Sequence, residues 1–188
     1  MRYPRATTRE NDMSACWTFG LRSLLAASLL AAAACGPLTV QSDPDTFAVP
    51  AGTASQLRGP QTVALGNAYA AETRVTIYPG GPTWNADLKQ YTDTAITMLG
   101  REMDKQGIKV ASPAAKSVKL RVLNVQASPG WVIRSSLEME AEYGDGTKSM
   151  LRTENSSPSD AWRAVNGALM YAVARLLVDE AFLAYVNR

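Results

Sequence analysis

Residues 133–143 alternate without a break: Ile133, Ser135, Leu137, Met139, Ala141 and Tyr143 interleave with Arg134, Ser136, Glu138, Glu140 and Glu142. Successive side chains of a strand point to opposite faces, so this spacing predicts a strand with one face buried and one wet, and it does not fit a helix. Gly144-Asp145-Gly146 follows at once and is a tight-turn signal, which predicts an antiparallel partner over residues 147–153. With the turn centred on Asp145, Glu142 faces Lys148 and Glu138 faces Arg152. Upstream, residues 118–125 place Val118, Leu120 and Val122 on one face and Lys119 and Arg121 on the other, before the turn Ser128-Pro129-Gly130. The wet face is therefore expected to carry basic, acidic and basic stripes, which favour one register by a few tenths to about 1 kcal/mol per pair.

Around this meander the pattern changes period. Residues 74–78 (RVTIY) read as a short strand stopped by Pro79-Gly80-Gly81-Pro82. Asn85 is the expected cap of a helix whose apolar face is Leu88, Tyr91, Ala95, Leu99 and Met103, with Gly107 as its left-handed exit. Ser157-Pro158-Ser159-Asp160 reads as the start of a second helix, with Ser157 as cap and Pro158 at the first position. Its stripe is Trp162, Val165, Leu169, Ala172, Val173 and Leu176, and Gly167 lets it approach a neighbour closely. The apolar tail Phe182, Leu183, Tyr185 and Val186 is expected to dock as a short helical turn after Asp179-Glu180. The expected fold is α+β: a four-stranded mixed sheet with two helices packed on one face, in the order β-α-β-β-β-α. A right-handed crossover makes its first two strands, 74–78 and 118–125, parallel.

The first residues have a different character. The run Leu24 to Cys35, LLAASLLAAAAC, follows Arg22 and is shorter than the about 20 residues needed to span a bilayer as a helix. It reads as the apolar region of a cleaved secretion signal. Its end, Leu30-Ala31-Ala32-Ala33-Ala34-Cys35, resembles the lipobox of bacterial lipoproteins, with Ala32 where Leu is usual. That resemblance implies acylation of Cys35, and two acyl chains hold a protein on a membrane far more firmly than one. Residues 1–34 are then a signal peptide starting at Met1 or Met13, and residues 35–71 a lipidated cysteine plus flexible tether. Residues 72–188 form a single α+β domain. The tether is rich in Pro, Gly, Ser, Thr and Ala, with one short apolar patch at 62–65 that suggests a docked strand. As a flexible coil it reaches roughly 30 to 35 Å. Gly36 rather than Asp after the cysteine resembles an outer-membrane address facing the periplasm.

Processing also removes the charge. The chain's formal +2 arises from Arg2, Arg5, Arg9 and Arg22 against Glu10 and Asp12, all before Cys35. What remains is neutral, without the basic footprint of a nucleic-acid binder. Cys16 leaves with the signal, so Cys35 is the sole cysteine of the processed chain and no internal disulfide forms.

The order of elements, with the closing segment NSSPSDAWRAVNGALMYAVARLLVDEAFLAYVNR, resembles the YajG-type small lipoproteins of the bacterial envelope. More distantly the architecture is similar to LptE-like and LpoB-like lipoprotein domains. The resemblance covers residues 72–188, carries no diagnostic motif, and implies an envelope accessory role without assigning site residues.

Chemistry is constrained by what is missing. The sequence contains no histidine, which removes Ser-His-Asp and Cys-His catalysis and the common zinc sites. The expectation is no enzyme, no cofactor and no metal. Pro79-Gly80-Gly81-Pro82 joins strand to helix but lacks the spacing of a phosphate loop. Glu138, Glu140 and Glu142 lie on the wet face opposite cations, whereas a general acid needs a secluded site that raises its pKa.

Three tryptophans make the candidate binding site. In the expected topology Trp84, Trp131 and Trp162, with Tyr78, share one rim of the sheet, and the tether enters at the opposite end. Trp is enriched in binding hot spots. The rim is a candidate docking surface for an envelope protein partner, or simply the plug of a small core. The leading expectation for function is a non-catalytic, membrane-anchored lipoprotein acting as accessory or assembly factor through protein binding. The alternative is a lipid-handling or transport-accessory lipoprotein, which needs an apolar cavity lined by residues such as Leu99, Leu169 and Leu137. A hydrolase with a secluded acid is the third.

Overall fold

Three long strands dominate the molecule: β6 (Lys116–Ser128), β7 (Ile133–Tyr143) and β8 (Lys148–Ser157), joined as an antiparallel meander. The computed structural model describes residues 37–80 and 83–188. The expected signal peptide, with Cys16, and Cys35, Gly36, Gly81 and Pro82 lie outside the described residues. The earlier elements are β1 (Leu38–Thr39), β2 (Thr62–Asn67), β3 (Arg74–Tyr78), β4 (Trp84–Asp87), α1 (Leu88–Lys105) and β5 (Lys109–Val110). Two helices close the chain, α2 (Ala161–Leu177) and α3 (Glu180–Val186).

The alternation of β7 gives the face it predicts: Ser135, Leu137, Met139, Ala141 and Tyr143 are all buried. The register is also as expected, with Glu142 opposite Lys148 and Glu138 opposite Arg152. Asp145 Oδ1 closes the turn by accepting from Thr147 N at 3.1 Å and Thr147 Oγ1 at 2.6 Å, and Gly146 takes φ +86°. On the other flank Lys119 pairs with Glu142 and Arg121 with Glu140. Arg121 turns its guanidinium over the Tyr69 ring, 5.4 Å from the centroid. A bulge between Val122 and Asn124 inserts Leu123, so the inward residues change from Val118, Leu120 and Val122 to Val125 and Ala127.

The class is α+β, but the sheet differs from the expected one. There are two sheets among the described residues, a five-stranded one ordered β5-β2-β6-β7-β8 and a three-stranded one ordered β1-β4-β3. The parallel neighbour of β6 is β2, not residues 74–78. Strand β3 instead pairs with β4, in a stretch expected to be loop and helix start. Where β2 ends, side chains take over: Thr92 Oγ1 accepts from Val122 N at 3.0 Å and Tyr69 OH donates to Val122 O at 2.8 Å. The buried backbone of β6 is thus satisfied without a strand beside it.

The helices form as their stripes demand, with different caps. Asp87, not Asn85, caps α1, its Oδ1 accepting from Lys89 N at 3.0 Å and from Thr73 N at 2.8 Å. Gly107 provides the exit at φ +77°. Asp160, not Ser157, caps α2 by accepting from Arg163 N at 2.6 Å. Ser157 Oγ accepts from Ser159 N at 3.2 Å and so shapes the approach. Asp179 caps a third helix, α3, whose Phe182, Tyr185 and Val186 are buried.

The largest departure concerns residues 37–71, expected to be a flexible tether. The compact unit begins at Pro37, and Val40, Val49, Ala54, Leu57 and Val63 belong to the core. Asn166 of α2 and Asn187, the C-cap of α3, hold the segment. Asn166 Nδ2 donates to Gln41 O at 3.0 Å and its Oδ1 accepts from Asp43 N at 3.1 Å, while Asn187 bonds both Gln56 O and Arg58 N. Fully burying each Val or Leu contributes about 1.5 to 3 kcal/mol, enough to hold an irregular segment that has no period of its own.

Candidate functional site

The four predicted rim residues fall into three places. Tyr78 and Trp84 pack together in a tilted arrangement, with centroids 5.1 Å apart and ring planes at 52°, at the adjoining ends of β3 and β4. The Tyr78 ring also folds back over Gly80, where an added Cβ would lie 2.7 Å from the phenol oxygen. Trp162 packs beside Phe47 at 6.4 Å. All three of these rings are half-buried, and Trp84 and Trp162 lean on the core. Trp131 is different: it stands on the β6–β7 turn with a relative exposure of 103%. The docking motive therefore reduces to one free ring.

The rings do share an end of the molecule. Ile133 pairs with Ser157, so Trp131, just before Ile133, and Trp162, just after Ser157, lie at the same end of the sheet. Strand β4 feeds α1, whose Thr92 meets Val122 and which then descends to β5 at the other end. Trp84 thus lies toward the β6–β7 turn as well.

The chain does not enter at the end expected of the tether. Leu38 pairs with Trp84, and Leu38 N donates to Thr83 O at 2.9 Å. The described chain begins beside the rim, not at the opposite end. The cause is β1, a strand too short to carry a pattern, which ties the chain's entry to β4.

Sequence reasoning missed a second surface. β8 is the last strand of its sheet, so one side of its backbone has no strand partner among the described residues. Thr147 O accepts from Tyr143 N, so odd-numbered residues turn their polar groups toward β7 and even-numbered ones turn outward. Among the outward groups only the Arg152 carbonyl is taken by another described residue, Arg175 Nη1. Met150, Tyr171 and Val178, all exposed large apolar residues, border this edge. The signal was present in Met150, an apolar residue at a wet position between Lys148 and Arg152.

Beneath the edge runs a hydrogen-bonded chain. Tyr143 OH bonds Ser149 Oγ at 2.7 Å, and Ser149 Oγ donates to Asp179 Oδ1 at 2.6 Å. Burial first, and then the nearby Asp179 carboxylate, push the Tyr143 phenol up to about 12, against a lowering by the Ser149 bond. The three acids of β7 remain on the surface with cations: Lys148 reaches Glu142 at 3.2 Å and Glu140 at 3.3 Å, and Arg152 reaches Glu138 at 3.0 Å. The described residues contain no cluster of three metal-ligating side chains. No helix among them is long and apolar enough to cross a membrane.

Comparison with known proteins gives no family model and no curated protein that matches. Among solved structures, a Xanthomonas campestris protein of the DUF330 family model is similar at TM-score 0.45, with 14% identity over 81% of this chain and 93% of that one. Another, described as an uncharacterized protein, is similar at TM-score 0.39, with 12% identity over 76% of this chain and 95% of the other.

Proposed function

We propose that this chain is a non-catalytic, lipid-anchored accessory or assembly factor of the bacterial envelope, a small adaptor that docks a protein partner by strand addition to β8. The observation that supports docking is the edge itself: ten residues of strand, Lys148–Ser157, with one side unpaired among the described residues and Met150, Tyr171 and Val178 around it. Main-chain hydrogen bonds supply affinity in such complexes and neighbouring side chains supply selectivity. Natural proteins usually blunt a long edge with charge or cover. Here Lys148 and Arg152 are already engaged with Glu142, Glu140 and Glu138.

The anchor in this reading rests on Cys35 and the signal that precedes it. The lipid-handling alternative needs room for acyl chains between helices and sheet. Leu99, Leu137 and Leu169 fill that interior and are buried in the common core, which favours the adaptor.

The test is site-specific photocrosslinking in the native envelope, with the crosslinker at position 150 and a control at position 104. A discrete adduct from 150 and none from 104 is the expected result. Met150→Pro removes an outward N–H without touching the β7 ladder, and it should abolish binding of the crosslinked partner while leaving the melting temperature near wild type. No adduct at 150 in cells where the protein fractionates with membranes would sink the docking reading. Cys35→Ala tests the anchor separately: unchanged mass and fractionation would remove it.

A further inference from the structure

The exposed large apolar residues fall into two groups. Met150, Tyr171 and Val178 border the β8 edge, while Leu38 (56% exposed), Trp131 (103%) and Val132 (38%) lie at the end where β6 turns into β7. The second group has no role in the adaptor reading. We propose that this end of the molecule rests on a phospholipid bilayer, with the Trp131 ring inserted at the headgroup level. The inference builds on the proposed acylation of Cys35.

The length of chain before the described residues argues for a bilayer as the occupant. Residues 37–71, which could have held the domain far from the membrane, are instead bound into the fold. Two peptide links separate Cys35 from Pro37, and extended chain covers at most about 3.6 Å per residue, so an acylated Cys35 has roughly 7 Å of freedom. Pro37 adjoins Leu38, and Leu38 pairs with Trp84. Acyl chains fixed so close to Leu38 bring its end of the domain to the lipid surface.

Trp131 then meets the lipid because of topology. The β6–β7 turn, Ser128-Pro129-Gly130-Trp131-Val132, projects at the end that also holds Trp84 and Trp162. An indole has an apolar body and one N–H donor, and such rings concentrate at membrane interfaces, where the body leaves water and the donor keeps a polar partner. In water a fully exposed Trp gains nothing from its burial potential. Arg134, exposed at the base of the turn, faces Ser128 and Ser156 across the sheet and suits phosphate headgroups.

The experiment uses the full processed protein purified from membranes and reconstituted into vesicles of phosphatidylethanolamine and phosphatidylglycerol. Mass spectrometry first reports whether Cys35 carries acyl chains. Tryptophan emission is then compared between wild type and Trp131→Ala, in vesicles with and without brominated lipid. The expected result is that the Trp131 share of the emission is shifted to the blue, strongly quenched by shallow bromines and shielded from aqueous iodide. Because Trp131 packs against nothing, Trp131→Ala should keep the wild-type melting temperature. An unacylated Cys35 overturns both this inference and the anchor. An acylated, vesicle-bound protein whose Trp131 remains open to iodide and silent to bromine overturns this inference alone.

Discussion

At the scale of single residues, the joint between α2 and β8 depends on a missing side chain. A Cβ built on Gly167 would lie 2.0 Å from Asn155 Nδ2 and 2.8 Å from Asn155 Cγ. That amide donates to Ala164 O at 3.0 Å and to Arg163 O at 3.3 Å. Gly167→Ala must swing Asn155 away and lose these bonds, a cost of about 1 to 2 kcal/mol that outweighs the gain in helix propensity. The urea midpoint should fall accordingly, and most of the loss should vanish when Asn155→Ala is already present, the signature of a shared contact. Sequence alone marked Gly167 as a place of close approach, but nothing in the stripe around it named Asn155 as the neighbour. Tyr143 gives a second residue-level consequence. Its pKa is raised in the folded protein from 10.0 to about 12, chiefly by burial. The folded state therefore holds this proton more tightly than the unfolded chain. Its contribution is fully present below pH 10 and is lost as pH rises toward 12, at no more than about 1.4 kcal/mol per pH unit. Tyr143→Phe should be less stable at neutral pH, through the lost Ser149 bond, yet show a shallower decline in stability across this alkaline window. Chemical denaturation at stepped pH measures both, and parallel slopes would refute the assignment.

At the scale of elements, patterns revealed which strands and helices exist more readily than which ones meet. β7 is legible because every second residue repeats its environment and Gly144-Asp145-Gly146 fixes where the chain returns. α1 and α2 are legible from their stripes, and their caps moved only because Asp87 and Asp160 sit closer to the first free N–H groups than Asn85 and Ser157. The contest for the side of β6 was not legible. The patch at 62–65 suggests only a docked strand and RVTIY reads as a short strand, yet either could reach β6 by a permitted crossover, so the handedness rule does not choose. Contacts far apart in sequence choose instead: Asn67 Nδ2 bonds Lys89 O and Asp93, and Lys116 Nζ bonds Val186 O, holding β2 and β6 in place. The segment before β2 carries no legible pattern for a related reason. Val40, Phe47, Val49, Ala54 and Leu57 fall at irregular intervals because each fills a different gap between elements. Asn166 is a main pin of that segment, buried and bonded to Gln41, Asp43 and Trp162. Asn166→Ala should therefore accelerate amide exchange from about residue 41 to 46 while the protection of β6, β7 and β8 stays near wild type. Uniform loss of protection throughout the sheet would mean that the segment and the meander open together.

At the scale of the whole molecule, the two exposed apolar groups lie on differently directed surfaces. The long strands run between the end that carries Trp131 and the end that carries Gly144-Asp145-Gly146, whereas the open side of β8 extends along the flank. If the Trp131 end lies on lipid, the β8 edge stands upright from the membrane with its length accessible to a partner. With Cys35 acylated as proposed, the short link from Cys35 to Pro37 would couple the two surfaces to one orientation, so changing that link should separate them. Insertion of a flexible Gly/Ser spacer of about 20 residues between Gly36 and Pro37 gives the domain roughly 25 Å of root-mean-square freedom. Each visit of the Trp131 end to the bilayer then competes with a large volume of unbound orientations, and quenching of Trp131 by brominated lipid should fall sharply. Partner capture from position 150 should persist, because nothing in the β8 edge has changed. Equal loss of both signals would show that the partner, too, is met at the lipid surface and that docking depends on the orientation the short link imposes. Quenching that survives the spacer unchanged would instead show that Trp131 binds lipid strongly enough without the constraint, and the close anchor would lose its part in placing the ring.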